Sequence, residues 1–353
     1  MLKGVLGGVD RLKAFTPLEA CYGGFLIAVV IYYMLVLNGR ATSVGNMLAS
    51  VVSLEEDMSW KSLFVGGMLI AGALSAWNGV VSVESFKSGS AWVYLISGFL
   101  IGFGSRAGSG CTTGHAISGV ARLSRRSGIA TVIIWLSGSL TATIFHRGNL
   151  EKVPVVWPSF GRVLLLTLLL IAAIAAFEGL RLAHTRGMIE EERAFNVTAV
   201  IGGVVFALGL TVAGLSQQSK ILGFLDWRGY WDATLLVALI AAVLPSLISY
   251  QISIQPMRAP LFTEELLLPM KTEEDLPLIV GSVIFGVGWG YLGLSPASAV
   301  VNFVRFNHWR IIVYVVAMLG GIRAHDFYRS KYPSDDSTNP YMEASATSPL
   351  LPS

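Results

Sequence analysis

The chain has little charge and almost no cysteine. Charged residues occupy 13% of its 353 positions and hydrophobic residues 54%, whereas soluble domains carry about 25% charged residues. The two cysteines, Cys21 and Cys111, form no CxxC pair, which argues against the usual structural zinc and iron–sulfur frameworks. No metal, cofactor or catalytic residue is expected. Long polar stretches are also missing: the largest, near 183–194 and 251–277, are too short to bury a soluble catalytic core. The opening MLKGVLGGVDRLKAFTP has no small-residue cleavage site after a short apolar core, so the first hydrophobic run reads as retained and not as a signal peptide. A net charge of +3 gives no reason to expect nucleic acid.

Hydrophobic runs fill the space that these absences leave. The mean hydropathy is +0.65, and nine runs of near-spanning length lie at about 17–37, 62–82, 90–105, 128–145, 162–182, 196–213, 233–250, 278–292 and 309–322. A helix of about 17–25 apolar residues can cross the hydrocarbon core. The expectation is an all-α, multi-pass integral membrane protein, in a plasma or bacterial-type inner membrane, with the lipid bilayer as its constant partner. The end of the chain, DDSTNPYMEASATSPLLPS, has the composition of a disordered segment outside the bilayer.

Within these runs the most informative stretch is GFLIGFGSRAGSGCTTGHAISG, residues 98–119. Non-helical backbone at membrane depth survives only where protein or a water-filled cavity satisfies its polar groups. Such a break should therefore line something polar. Sliding the sequence against itself by 184 positions places Gly102, Gly104 and Cys111 on Gly286, Gly288 and Ser295. A second echo pairs VLNGRATSVGNML with LTVAGLSQQSKILGF. Each half then reads span, break, span, span, break, span, with the fifth span as connector. Because an odd number of crossings separates the halves, the repeats should be inverted, with short re-entrant helices or loops at their breaks. The expected layout is an N-terminal segment 1–16, a first repeat 17–160, a connector 161–193, a second repeat 194–322 and a tail 323–353.

Four breaks could carry chemistry, and three of them bring a cation: Arg40, Arg106 and Lys220. Short helices starting at Thr112, Ser219 and Pro296 could aim positive N-terminal ends inward. The combination favours an anion. An embedded cation costs about 2.5–3.5 kcal/mol on insertion scales, so it needs a partner or a function. The plainer alternative is that Arg40 and Lys220 reach to the headgroup region. Arg122, Arg125 and Arg126 read as contacts at the membrane interface. Gly66, Gly67 and Gly72 read as packing surfaces, Cys21 as a core thiol, and His115 as a satisfied polar residue, since with Cys111 it makes only half a metal site. The candidate substrate-binding set is Cys111, Thr112, Thr113, Gly110, Ser295, Cys21, Arg106, Arg40, Lys220 and His115.

The stretch GFGSRAGSGCTTGHAISGVARLSRRS resembles the signature of the YeeE/YedE sulfur-transport family. GLSQQSKILGFLDWRGYWDATLL and GVGWGYLGLSPASAVV resemble its later repeats. The similarity runs from about residue 20 to 322. It implies a carrier for thiosulfate or a related sulfur compound, built from nine spans and short inward helices in an hourglass. It also implies thiols that hand the substrate along by S–H hydrogen bonds, and a small sulfurtransferase-like partner. By position Cys111 matches the motif cysteine of the first half, and Cys21 a cysteine of the first span. The second-half motif of the family reads Cys-Pro-Gly, whereas this chain has Ser295, Pro296 and Ala297. A hydroxyl is a harder, stronger donor than a thiol, which leaves sulfite or sulfate open as substrate. A channel with the breaks as filter and a membrane-embedded sulfurtransferase are the other readings.

Overall fold

The computed structural model describes residues 14–55, 57–78, 90–146, 154–229, 231–269, 271–304 and 309–332. It is all-helical: among the described residues the only β features are two isolated bridges. The first half consists of α1 (Pro17–Asn38), α2 (Val44–Ser53), α3 (Met58–Asn78), α4 (Ala91–Ala107), a π-helical segment π1 (Thr113–Gly119) and α5 (Arg125–Phe145). A long helix, α6 (Phe160–Thr185), follows. The second half has α7 (Glu191–Val212), α8 (Gln218–Leu225), α9 (Thr234–Ser249) with a π-helical extension π2 (Tyr250–Ile254), α10 (Leu276–Leu292), α11 (Pro296–Phe303) and α12 (Trp309–Lys331).

The nine expected spans fall on α1, α3, α4, α5, α6, α7, α9, α10 and α12. Among the described residues, seven helices are long and apolar enough to cross a membrane by themselves. Of the other two, α4 has 17 residues, and α10 passes only together with α11, bent by 44°. The protein is an all-α integral membrane protein. One boundary differs from expectation. Helix α12 continues to Lys331, so residues 323–331, assigned to the tail, are helical. The end of the second expected span, 79–82, lies outside the described residues, as do 1–13 and the tail from 333.

Local chemistry sets the breaks. Helix α1 opens on Pro17 and closes on Gly39 at φ +63°, the left-handed stop that glycine adopts without strain. Helix α10 closes on Gly293 at φ +73°, and α11 restarts at once with Pro296 behind a Ser295–Ser298 capping box.

Helices of the two halves pack on each other in matching pairs. Helix α3 packs on α7 as α9 does on α1, and α4 packs on α12 as α10 does on α5. Helix α6 touches α1 and α7 and stands largely outside these pairs. Gly104 of α4 lies against Phe285 and Gly281 of α10, while Gly288 of α10 lies against Ile101 and Ser97 of α4. Gly102 lies against the carbonyl of Met318, and Gly286 against that of Ile134. The same 184-residue shift interchanges both sets. Contacts of Gly281 with Gly108 and of Gly288 with Ile101 make α4 and α10 antiparallel. Helices α1 and α7 are antiparallel too, since Gly23 meets Gly209 and Asn38 donates to the Phe195 carbonyl at 2.9 Å.

Candidate functional site

Between α4 and π1 the chain turns through Gly108, Ser109 (φ +58°) and Gly110, closed by the Gly110 N–H on the Ser105 carbonyl at 2.9 Å. Gly110 is required sterically: a Cβ there would lie 2.4 Å from Nε2 of His115. That ring is buried and braces the turn, with Nε2 3.1 Å from the Gly108 carbonyl and Nδ1 3.2 Å from Ser127 Oγ on α5. His115 is thus a structural brace, and no cluster of three metal-ligating side chains occurs among the described residues.

Beyond the turn come Cys111 and Thr113, both spent on the start of α2. Gly45 N–H donates to Cys111 Sγ at 3.2 Å, and Val44 N–H donates to Thr113 Oγ1 at 3.3 Å. The two side chains lie 3.0 Å apart. The first turn of a helix leaves N–H groups without partners, and here a neighbouring segment supplies the acceptors. Ser43, the residue in the N-cap position, makes no capping bond. Cys111 is 0% exposed, so the thiol faces protein and not acyl chains.

A cavity of about 660 Å3 opens beside these residues. Thr112 and Thr113 of the first half and Ser295 of the second line it. Its remaining wall is aromatic and aliphatic, from Trp135 of α5, Phe224 of α8, Trp227 and Trp231 of the α8–α9 connection, and Trp289 of α10. Trp227 and Trp231 are exposed at its rim. No charged side chain lines it among the described residues, and tryptophans, not cations, stand at its rim.

Three of the ten candidates therefore meet at the cavity, with Cys111 directly behind Thr113. Cys21 is half-buried on α1 and lines no part of it. Arg106 is neutralised by Asp326 at 2.7 Å and Glu55 at 2.8 Å. Lys61 joins the same network through Asp57 at 2.6 Å and Ser50 at 2.7 Å. Arg40 donates to the Glu265 carbonyl at 3.1 Å and stacks over Phe195 at 5.6 Å. Lys220 is buried and ties α8 to the N-terminal segment, donating to the Ala14 carbonyl at 2.6 Å and Thr16 Oγ1 at 3.0 Å. None of these cations faces the cavity. The tryptophans were missed by sequence reasoning, because an aromatic residue in an apolar run carries no mark separating a cavity wall from a lipid-facing surface.

Long apolar helices interrupted by short ones, around a cavity lined from both halves, define a multi-pass membrane transporter. Residues 12–141 match the family described as sulphur transport, and residues 195–334 match a family of unknown function. A probable transporter of Xylella fastidiosa strain Temecula1 is 30% identical over 129 residues, 36% of this chain and 86% of the relative. A second from that strain is 34% identical over 125 residues, 34% of this chain and 89% of the relative. The chain belongs to the sulphur transport family. The relatives are each under half its length.

Proposed function

We propose that the chain carries thiosulfate, or a closely related sulfur oxyanion, across the membrane through a waist where two inverted repeats meet. The supporting observation is that Thr112 and Thr113 of one half and Ser295 of the other line one cavity, with the Cys111 thiol behind Thr113. The repeats are residues 17–160 and 194–322, joined by a connector over 161–193. Antiparallel crossing of α4 with α10 and of α1 with α7, together with the two family matches falling on either side of α6, supports that division.

The substrate enters past the tryptophans, shedding water against an apolar wall. At the inner end the hydroxyls of Thr112, Thr113 and Ser295 replace that water, with the Cys111 thiol packed behind Thr113. No covalent bond to sulfur is needed. An uncharged, aromatic wall favours the less strongly hydrated, more polarisable of two dianions, because each must shed water there and the loss costs the more strongly hydrated one more. This favours thiosulfate over sulfate, even with Ser295 in place of the family's cysteine.

Uptake of labelled thiosulfate, sulfite and sulfate into liposomes holding the purified chain tests the proposal. Saturable thiosulfate uptake, resisted poorly by excess sulfate, is the expected result. Equal competition by sulfate would overturn the specificity, and unsaturable current would replace the carrier with a channel.

A further inference from the structure

The segment π1 has two working faces. Thr112, Thr113, Ala116 and Ile117 face the aromatic cavity, whereas Gly114, His115 and Ser118 face a second pocket of about 40 Å3. Most of the residues that line the second pocket have polar side chains. Ser43 and Asn46 wall it from the α2 break, and Arg122, Arg126 and Lys271 bring three cations to it.

Three hydroxyls in this pocket are left over by the fold. Ser43 is 8% exposed and Thr42 and Ser118 are each 2% exposed, and none of the three has a hydrogen-bond partner. Ser43 is free because Cys111 and Thr113 took over its role at the start of α2. A buried hydroxyl without a partner is destabilising, and three in one pocket, beside cations, leave donors open to an occupant. Arg122 is anchored by its Nε on the Ser118 carbonyl at 3.2 Å. Asp275 bridges Arg126 at 2.7 Å and Lys271 at 2.9 Å, which fixes both at the pocket's rim.

Size limits the occupant. A water needs roughly 10–15 Å3 in this measure, so the pocket admits a few waters or one small tetrahedral anion. We propose that it is a second binding station for the transported oxyanion, on the far side of π1 from the aromatic cavity, with Ser43 and Ser118 donating to its oxygens and a net positive field from Arg122, Arg126 and Lys271, one charge of which Asp275 offsets. This rests on the reading that the chain carries a sulfur oxyanion. The two stations then divide the substrate's chemistry: the aromatic cavity takes its soft, poorly hydrated character, and the far pocket takes its charge.

The test uses the purified full chain, with thiosulfate binding measured by calorimetry and selenate located by its anomalous scattering. The expected result is a selenium peak between Ser43 and Ser118, and binding weakened about tenfold or more in the Ser43→Ala/Ser118→Ala double variant and in Arg122→Gln. Melting temperature separates a binding role from a structural one: removing two unpartnered hydroxyls should leave the empty protein as stable or more so. Wild-type binding by the double variant, or only ordered water in the pocket, overturns the second station. If that variant also takes up thiosulfate normally, the station falls and the transport reading stands; if the unaltered chain takes up no sulfur oxyanion, the transport reading falls.

Discussion

Replacing Cys111 with alanine separates its two duties. The thiol is fully buried and accepts from Gly45 N–H at 3.2 Å. Without Sγ that amide has no partner, and an unsatisfied buried donor costs about 1–3 kcal/mol. The variant should therefore unfold at a lower temperature in detergent while still folding. If the thiol also contacts the passing anion, a hydrogen bond to a charged group is lost as well, about 1.5–3 kcal/mol. At 1.4 kcal/mol per decade that slows thiosulfate uptake about ten- to a hundredfold. Cys111→Ser keeps an acceptor for Gly45, so it should recover most of the stability but only part of the uptake. Initial rates in liposomes and melting curves on the same preparations decide the matter. A destabilised alanine variant that transports at the unaltered rate would reduce Cys111 to a helix cap and refute its part in the waist.

Thr131 lines the aromatic cavity, and its hydroxyl bonds only within its own helix, to the Ser127 carbonyl at 2.7 Å. Thr131→Trp should narrow the cavity and slow uptake with helical content unchanged; normal uptake would move the path elsewhere. Gly102→Ala places a Cβ 1.9 Å from the Met318 carbonyl, and overpacking of this kind costs about 1–3 kcal/mol. Its melting temperature should fall, and an unchanged value would deny the close α4–α12 approach. Burial pushes the Asp275 carboxyl up, but the bonds from Lys271 and Arg126 outweigh burial and hold it below its ordinary range. Its contribution to stability is therefore complete above the ordinary carboxylate range and is lost as pH falls through the lowered folded value. Asp275→Asn should flatten that acid limb in melting temperature against pH.

Much of the fold was legible in the chain itself, because span length and apolar content answer to the bilayer, a constraint acting on each segment alone. The nine runs and the restart at Pro296 followed from local chemistry. So did the correspondence of Gly104 with Gly288, since a shared shift can be read without coordinates. The cations were another matter. Arg106 lies in a break with no acid, yet Glu55 and Asp326 neutralise it from distant positions in the chain. Lys220 is likewise spent on Ala14 and Thr16. Sequence could nominate Cys111 and Thr113, but not that they cap α2 and release Ser43. Which polar group has a partner depends on what lies across the gap, and only packing decides that: partners more than two hundred residues apart carry no local signature. Sequence by itself determined a membrane-embedded, all-helical chain whose spans are interrupted by short breaks; tertiary structure decided which side chains those breaks leave free.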